Sequence, residues 1–176
     1  HHTILPLSAR VRPDAAALVE RAVPLGGGGR PGLATLSPPD MVLHAVAHLF
    51  ADGDLAGGLR NLWDIDRLLR EFAERPGFWE ALHRASAGHS LTPFLSRALR
   101  LSHHLFETPV DPWLAWKARA GDAWYLSRLL ARDRWGRETR KPLRLAFYLR
   151  SHWIRMPPQM LARHLSVKWL KSRAAA

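Results

Sequence analysis

Cysteine is missing from all 176 residues. That excludes disulfides, thiolate metal sites and cysteine nucleophiles, and it fits a cytosolic protein. Long apolar runs are missing too. No window approaches about 18 consecutive apolar residues, so no segment is expected to span a membrane. The opening HHTILPLSAR lacks a basic region followed by an apolar one, so no secretory signal is expected there. Strict apolar–polar alternation, the mark of half-buried strands, is almost absent. Acidic residues are scarce in the last quarter. Residues 132–173 hold twelve Lys/Arg against Asp133 and Glu138, a net +10 of the whole chain's +11. What is present is apolar bulk: 47% hydrophobic residues and eight Trp, enough to bury a core.

The chain divides by composition into an extended entry (1–12), a near-neutral body (13–131) and a strongly basic segment (132–176). Thr3, Ile4 and Leu5 are β-prone and stop at Pro6, which predicts a short strand or extended entry. PDAAALVERAV predicts a helix from Pro13, with Asp14 in its first turn. PLGGGGRPG (24–32) reads as a plain loop. A phosphate-cradling loop would end in Gly-Lys-Ser/Thr, and here Arg30-Pro31-Gly32 follows instead.

Ser37 as N-cap, Pro38 at N1 and Asp40 at N3 predict a helix running to Ala51. Leu59, Leu62, Ile65, Leu69 and Phe72 recur at helical spacing and predict the next one. Further helices are expected over FWEALHRASAG, from Thr92-Pro93, from Asp111-Pro112, and over PLRLAFYLRSHWIRM and PQMLARHLSVKWLKSR. The expected fold class is all-α: an irregular bundle of about seven or eight helices with a short N-terminal strand.

His44 and His48 are the first chemical candidates. A spacing of four puts both rings on one helical face, as a zinc-binding helix requires. The zincin pattern, however, puts Glu directly after the first His, and Ala45 stands there. Their apolar helix favours a structural hydrogen-bonding network, ahead of a pocket-lining role and then of a metal site. Asp64 is the nearest acid in the expected neighbouring helix and completes a predicted polar centre of His44, His48 and Asp64.

Two Asp-x-Asp pairs, Asp52/Asp54 and Asp64/Asp66, have the sequence form that holds magnesium in nucleotidyl transfer. That chemistry needs strand geometry, where residues i and i+2 face the same way. In a helix they diverge by about 200°. Neither pair is therefore expected to be catalytic. His103-His104 reads as a solvated pair, since adjacent helical residues point apart. No Gly-x-Ser-x-Gly elbow occurs.

The basic end interleaves charge with aromatics, as in FYLRSHWIRM and HLSVKWLKSR. Arg144, Arg150, Arg155, Arg163, Lys168 and Lys171 are its anion-binding candidates. A terminal helical pair with one solvated face is the plainest reading. An anionic membrane surface or acidic partner is the next, which would make the chain a non-enzymatic adaptor and peripheral to a membrane. Nucleic acid or nucleotide phosphate comes last.

The order of features resembles the helical C-terminal half of an uncharacterised nucleotidyltransferase-like family of bacterial proteins, often found near polysaccharide-biosynthesis genes. The matching positions are Leu36, Ser37, Pro38, Asp40, Leu43, His44 and His48, then Leu59, Arg60, Leu62, Asp64 and Ile65, within roughly residues 1–75. The resemblance implies a larger protein with an upstream catalytic core. That core would carry a Gly-Ser turn and an Asp-x-Asp pair on strands, binding magnesium and NTP. This chain would start at the core's last strand and supply a scaffold or one wall of the substrate pocket. By itself it would be catalytically incomplete and hold no cofactor.

Overall fold

The computed structural model describes residues 4–25, 32–110 and 119–174, and within them all side chains except those of Asp52, Trp169 and residues 171–174. Eight α-helices account for most of these residues: α1 (Ala15–Glu20), α2 (Pro38–Val46), α3 (Gly58–Phe72), α4 (Phe78–Gly88), α5 (Thr92–Phe106), α6 (Ala120–Leu129), α7 (Lys141–Arg155) and α8 (Pro158–Ala174). The expected all-α class is what forms. Of the strand expected at residues 3–5, Thr3 lies outside the described residues and Ile4 and Leu5 sit in bends; the described strand content lies elsewhere. It is a two-residue antiparallel pair, β1 (Val23–Pro24) with β2 (Ala34–Thr35), in which Val23 faces Thr35. The pair flanks the glycine run, of which residues 26–31 lie outside the described residues. Residues 111–118 of the helix expected from Asp111-Pro112 also lie outside them; its Trp124 and Tyr125 belong to α6, which starts afresh at Ala120 behind an extended Arg119.

Local chemistry sets the helix ends. Asp14 is the N-cap of α1 rather than part of its first turn, because its Oδ1 accepts from the Ala16 and Ala17 amides. Proline stands in the first turn of α2, α5 and α7, where its missing N–H costs nothing. Gly57 and Gly77 enter α3 and α4 with φ of 67° and 73°, which a Cβ would strain. The helix expected to run to Ala51 changes pitch: α2 ends at Val46 and continues as a π-helical turn over Ala47–Asp52.

The core is built around α2 and that π turn. Val42, Val46, Ala47 and Phe50 are fully buried and join Leu62, Ile65 and Leu69 of α3, Leu82 of α4, Leu95 and Leu99 of α5 and Phe147 of α7. By contrast, no described side chain of α8 is buried. Arg163 and Lys168 of α8 are accordingly exposed to solvent. Among the described residues no helix is long and apolar enough to cross a membrane.

Candidate functional site

Ser37, Asp40, His44 and His48 recur at intervals of three and four and lie on one stripe of α2 and its π turn. Exposure rises along the stripe. Asp40 is fully buried, His44 partly buried and His48 exposed. The two rings meet edge to face, with centroids 4.5 Å apart and Nε2 atoms 3.2 Å apart. That contact needs one ring to donate and the other to accept. Burial, helped by the charge of His48, pushes the His44 pKa down and keeps a lone pair available on its ring. The stripe therefore brings two imidazoles together at its exposed end.

At its buried end Asp40 anchors the stripe. Arg21, just after α1, makes a two-pronged contact with it, Nε and Nη2 donating at 2.9 and 2.8 Å. The Ser37 hydroxyl donates to Asp40 at 2.6 Å instead of capping a helix amide. His89, which follows α4, accepts the Asp14 amide on Nδ1 at 3.0 Å, and its Nε2 lies 3.5 Å from Asp40 Oδ1. Arg21 Nη2 lies 2.7 Å from that same Nε2, so the His89 ring packs directly against the Arg21–Asp40 pair. Burial by itself would raise the Asp40 pKa, but the hydrogen bonds from Arg21 and Ser37 outweigh it and hold the carboxyl below its usual range.

Asp64, the third predicted member of the polar centre, is exposed and does not join the histidines. The buried acid of α3 is Asp66. It accepts from Arg67, from Arg70 Nε at 2.8 Å and from the buried Thr108 hydroxyl at 2.7 Å. A helical phase explains the exchange: Leu62, Asp66 and Leu69 fall at i, i+4 and i+7 on the core face, and Asp64 does not. That spacing was the available signal for Asp66. Both Asp66 oxygens are taken by protein donors, and Asp54 Oδ1 accepts the Ala56 amide, so these carboxylates serve structure. No group of three or more His, Asp or Glu converges in a metal-binding arrangement among the described residues.

A third anchor is Asp122 of α6, held by Arg100 Nε at 2.6 Å and Arg97 Nε at 3.3 Å from α5 and by the Arg119 amide at 3.1 Å. As at Asp40 and Asp66, burial would raise its pKa, and the bonds from Arg100 and the Arg119 amide bring it below the usual range instead.

The structure scatters the anion-binding candidates. Arg150 serves carbonyls: Nη2 donates to Phe50 at 2.6 Å and Nη1 to Gly53 at 3.4 Å, closing the end of the π turn. Its burial against Tyr125 and Phe147 pushes its pKa down, which suits a packing residue better than an anion receptor. Arg155 donates to the Ser151 carbonyl at 3.0 Å. Arg163 is exposed on α8, and the Lys171 side chain lies outside the described residues. Arg144 and Lys168 come together with Lys141 and Tyr148 in one groove of about 460 Å³.

Arg128, which sequence reasoning did not single out, is the most deeply buried cation among the described residues. Its Nε donates to the Asp54 carbonyl at 3.2 Å and its Nη2 to Glu138 at 3.0 Å. Nothing in its local spacing marks it, because its acid lies across the joint between α6 and α7.

A family model described as an uncharacterised nucleotidyltransferase matches residues 1–107. Neither the curated proteins nor the solved structures give a match.

Proposed function

The chain belongs to the uncharacterised nucleotidyltransferase family, and from that premise we propose that its helices are the scaffold and one wall of a substrate pocket. Nucleotide and magnesium would be held by a separate catalytic core. The observation that carries the reading is the α2 stripe. The motif residues Ser37, Asp40, His44 and His48 share one face, with the buried end locked by Arg21 and His89 and the histidine pair presented at the other. Such an arrangement fixes the helix and sets two imidazoles at its exposed end, as a preorganised pocket wall requires.

Two assays test this. The chain by itself, given Mg²⁺ and each NTP, is expected to release no pyrophosphate; release would show that it is catalytically complete. In the protein that carries the catalytic strands, His44→Ala and His48→Ala are expected to lower nucleotidyl transfer by about 10²-fold, as a small misplacement of the substrate does. Their melting temperatures should stay near that of the parent. Unchanged turnover would remove the pair from the pocket.

A further inference from the structure

Outside the stripe, cations of the C-terminal helices α7 and α8 converge on a cavity. Lys141, Arg144, Leu145 and Tyr148 follow one face of α7, and Lys168 reaches over from α8. Its Nζ donates to the Tyr148 hydroxyl at 2.9 Å and sits 4.6 Å from the ring centroid. The groove they line also touches Asp54 and Glu138.

The two carboxylates do not neutralise it. Asp54 caps its own turn through the Ala56 amide. Glu138 already faces Arg128 at 3.0 Å, Arg144 at 3.6 Å and Arg132 at 3.8 Å. The lining itself sets Lys141, Arg144 and Lys168 against Asp54 and Glu138, and Glu138 is shared with Arg128 and Arg132 outside the groove, so the lining is net positive. Lys141 and Lys168 are exposed, as is about half of the Arg144 side chain, so a ligand can reach all three, with Arg144 shared between it and Glu138. The Tyr148 ring and Leu145 give the cavity an apolar floor.

We propose that this groove is a binding site for a phosphate-bearing anion. A ligand with several negative oxygens can engage Lys141, Arg144 and Lys168 together, which a single carboxylate cannot. The groove is assembled almost wholly from residues beyond the family match at 1–107. It is independent of the pocket-wall reading and can stand or fall apart from it. The same chemistry occurs in a free polyphosphate and in a phospholipid headgroup, and the experiment separates the two.

Inorganic tripolyphosphate is titrated calorimetrically into the full chain, and the chain is sedimented with phosphatidylcholine vesicles with and without phosphatidic acid. Binding is expected to weaken steeply with added salt. Lys141→Ala and Lys168→Ala should each weaken it by about tenfold, the value of one charged hydrogen bond. Arg163→Ala removes the same charge from α8 outside the groove and should leave binding unchanged. Tripolyphosphate binding without pelleting identifies a free phosphate ligand, and pelleting only with phosphatidic acid identifies a headgroup; either supports the site when the lysine variants weaken it. No binding of either probe, or equal loss from Arg163→Ala and Lys168→Ala, would overturn it.

Discussion

At the scale of single residues, the carboxylates divide sharply by what surrounds them. Asp66 is fully buried and bonded to Thr108, Arg67 and Arg70, whereas Asp64, two residues earlier, is exposed. Asp66→Ala is expected to cost about 2–3 kcal/mol in urea unfolding, since it strands a buried threonine hydroxyl and two arginines. Asp64→Ala should stay within about 0.5 kcal/mol of the parent, as exposed substitutions do. Equal effects from the two would show that α3 is rotated from the phase described. Both aspartates were visible in the sequence as a pair, and the i, i+4, i+7 spacing of Leu62, Asp66 and Leu69 already told them apart. Arg128 was not legible at all, because the residues that surround it come from elements distant in the chain.

At the scale of elements, apolar periodicity located most described helices and missed the change of pitch after α2. A repeat of three and four residues runs through Leu43, Val46, Leu49 and Phe50 in either geometry. The π turn is completed by Arg150, which bonds the Phe50 and Gly53 carbonyls from α7. The first turn of α3 packs closely against this region. A Cβ on Gly58 would lie 2.8 Å from Leu129 Cδ2 and 3.2 Å from Leu49 Cδ1, whereas one on Gly88 meets nothing within 4 Å. Gly58→Ala is thus expected to destabilise, an overpacking cost of about 1–3 kcal/mol exceeding a helix-propensity gain of about 1 kcal/mol. Gly88→Ala should be neutral or stabilising by up to about 1 kcal/mol. Denaturant melts of the two variants test the pair, and a stabilised Gly58→Ala would contradict the close approach.

At the scale of the whole molecule, buried carboxylates with arginine partners fasten the bundle together: Asp40 joins α2 to the end of α1, Asp66 joins α3 to the residues after α5, and Asp122 joins α6 to α5. All three have pKa values below the usual range. The folded chain therefore binds these protons more weakly than the unfolded chain does. The stability they supply is fully present above the ordinary carboxyl value of about 4 and is lost as pH falls through the lower folded values. His44, also lowered, adds a loss of the same sign from about pH 6.5 downward. The melting temperature is expected to fall modestly between pH 7 and 5 and steeply below about pH 4. A curve flat to pH 3 would show that the three acids are not held as ion pairs. The strong positive charge adds self-repulsion in acid and pushes in the same direction.

The sequence by itself determined the all-α class, the main helical spans, the Ser37–His48 stripe and the segregation of charge into the last quarter. These are local properties, written in spacings of three and four residues and in composition. Only the tertiary structure decided which polar groups are buried and which cations are already committed. Arg21 finds Asp40 across 19 residues, Thr108 finds Asp66 across 42, and Arg150 finds the Phe50 carbonyl across 100. No local period encodes such pairings; they follow from how the helices pack. Packing, not charge count, assigns Arg150 to backbone carbonyls and brings Lys141, Arg144 and Lys168 to a shared groove.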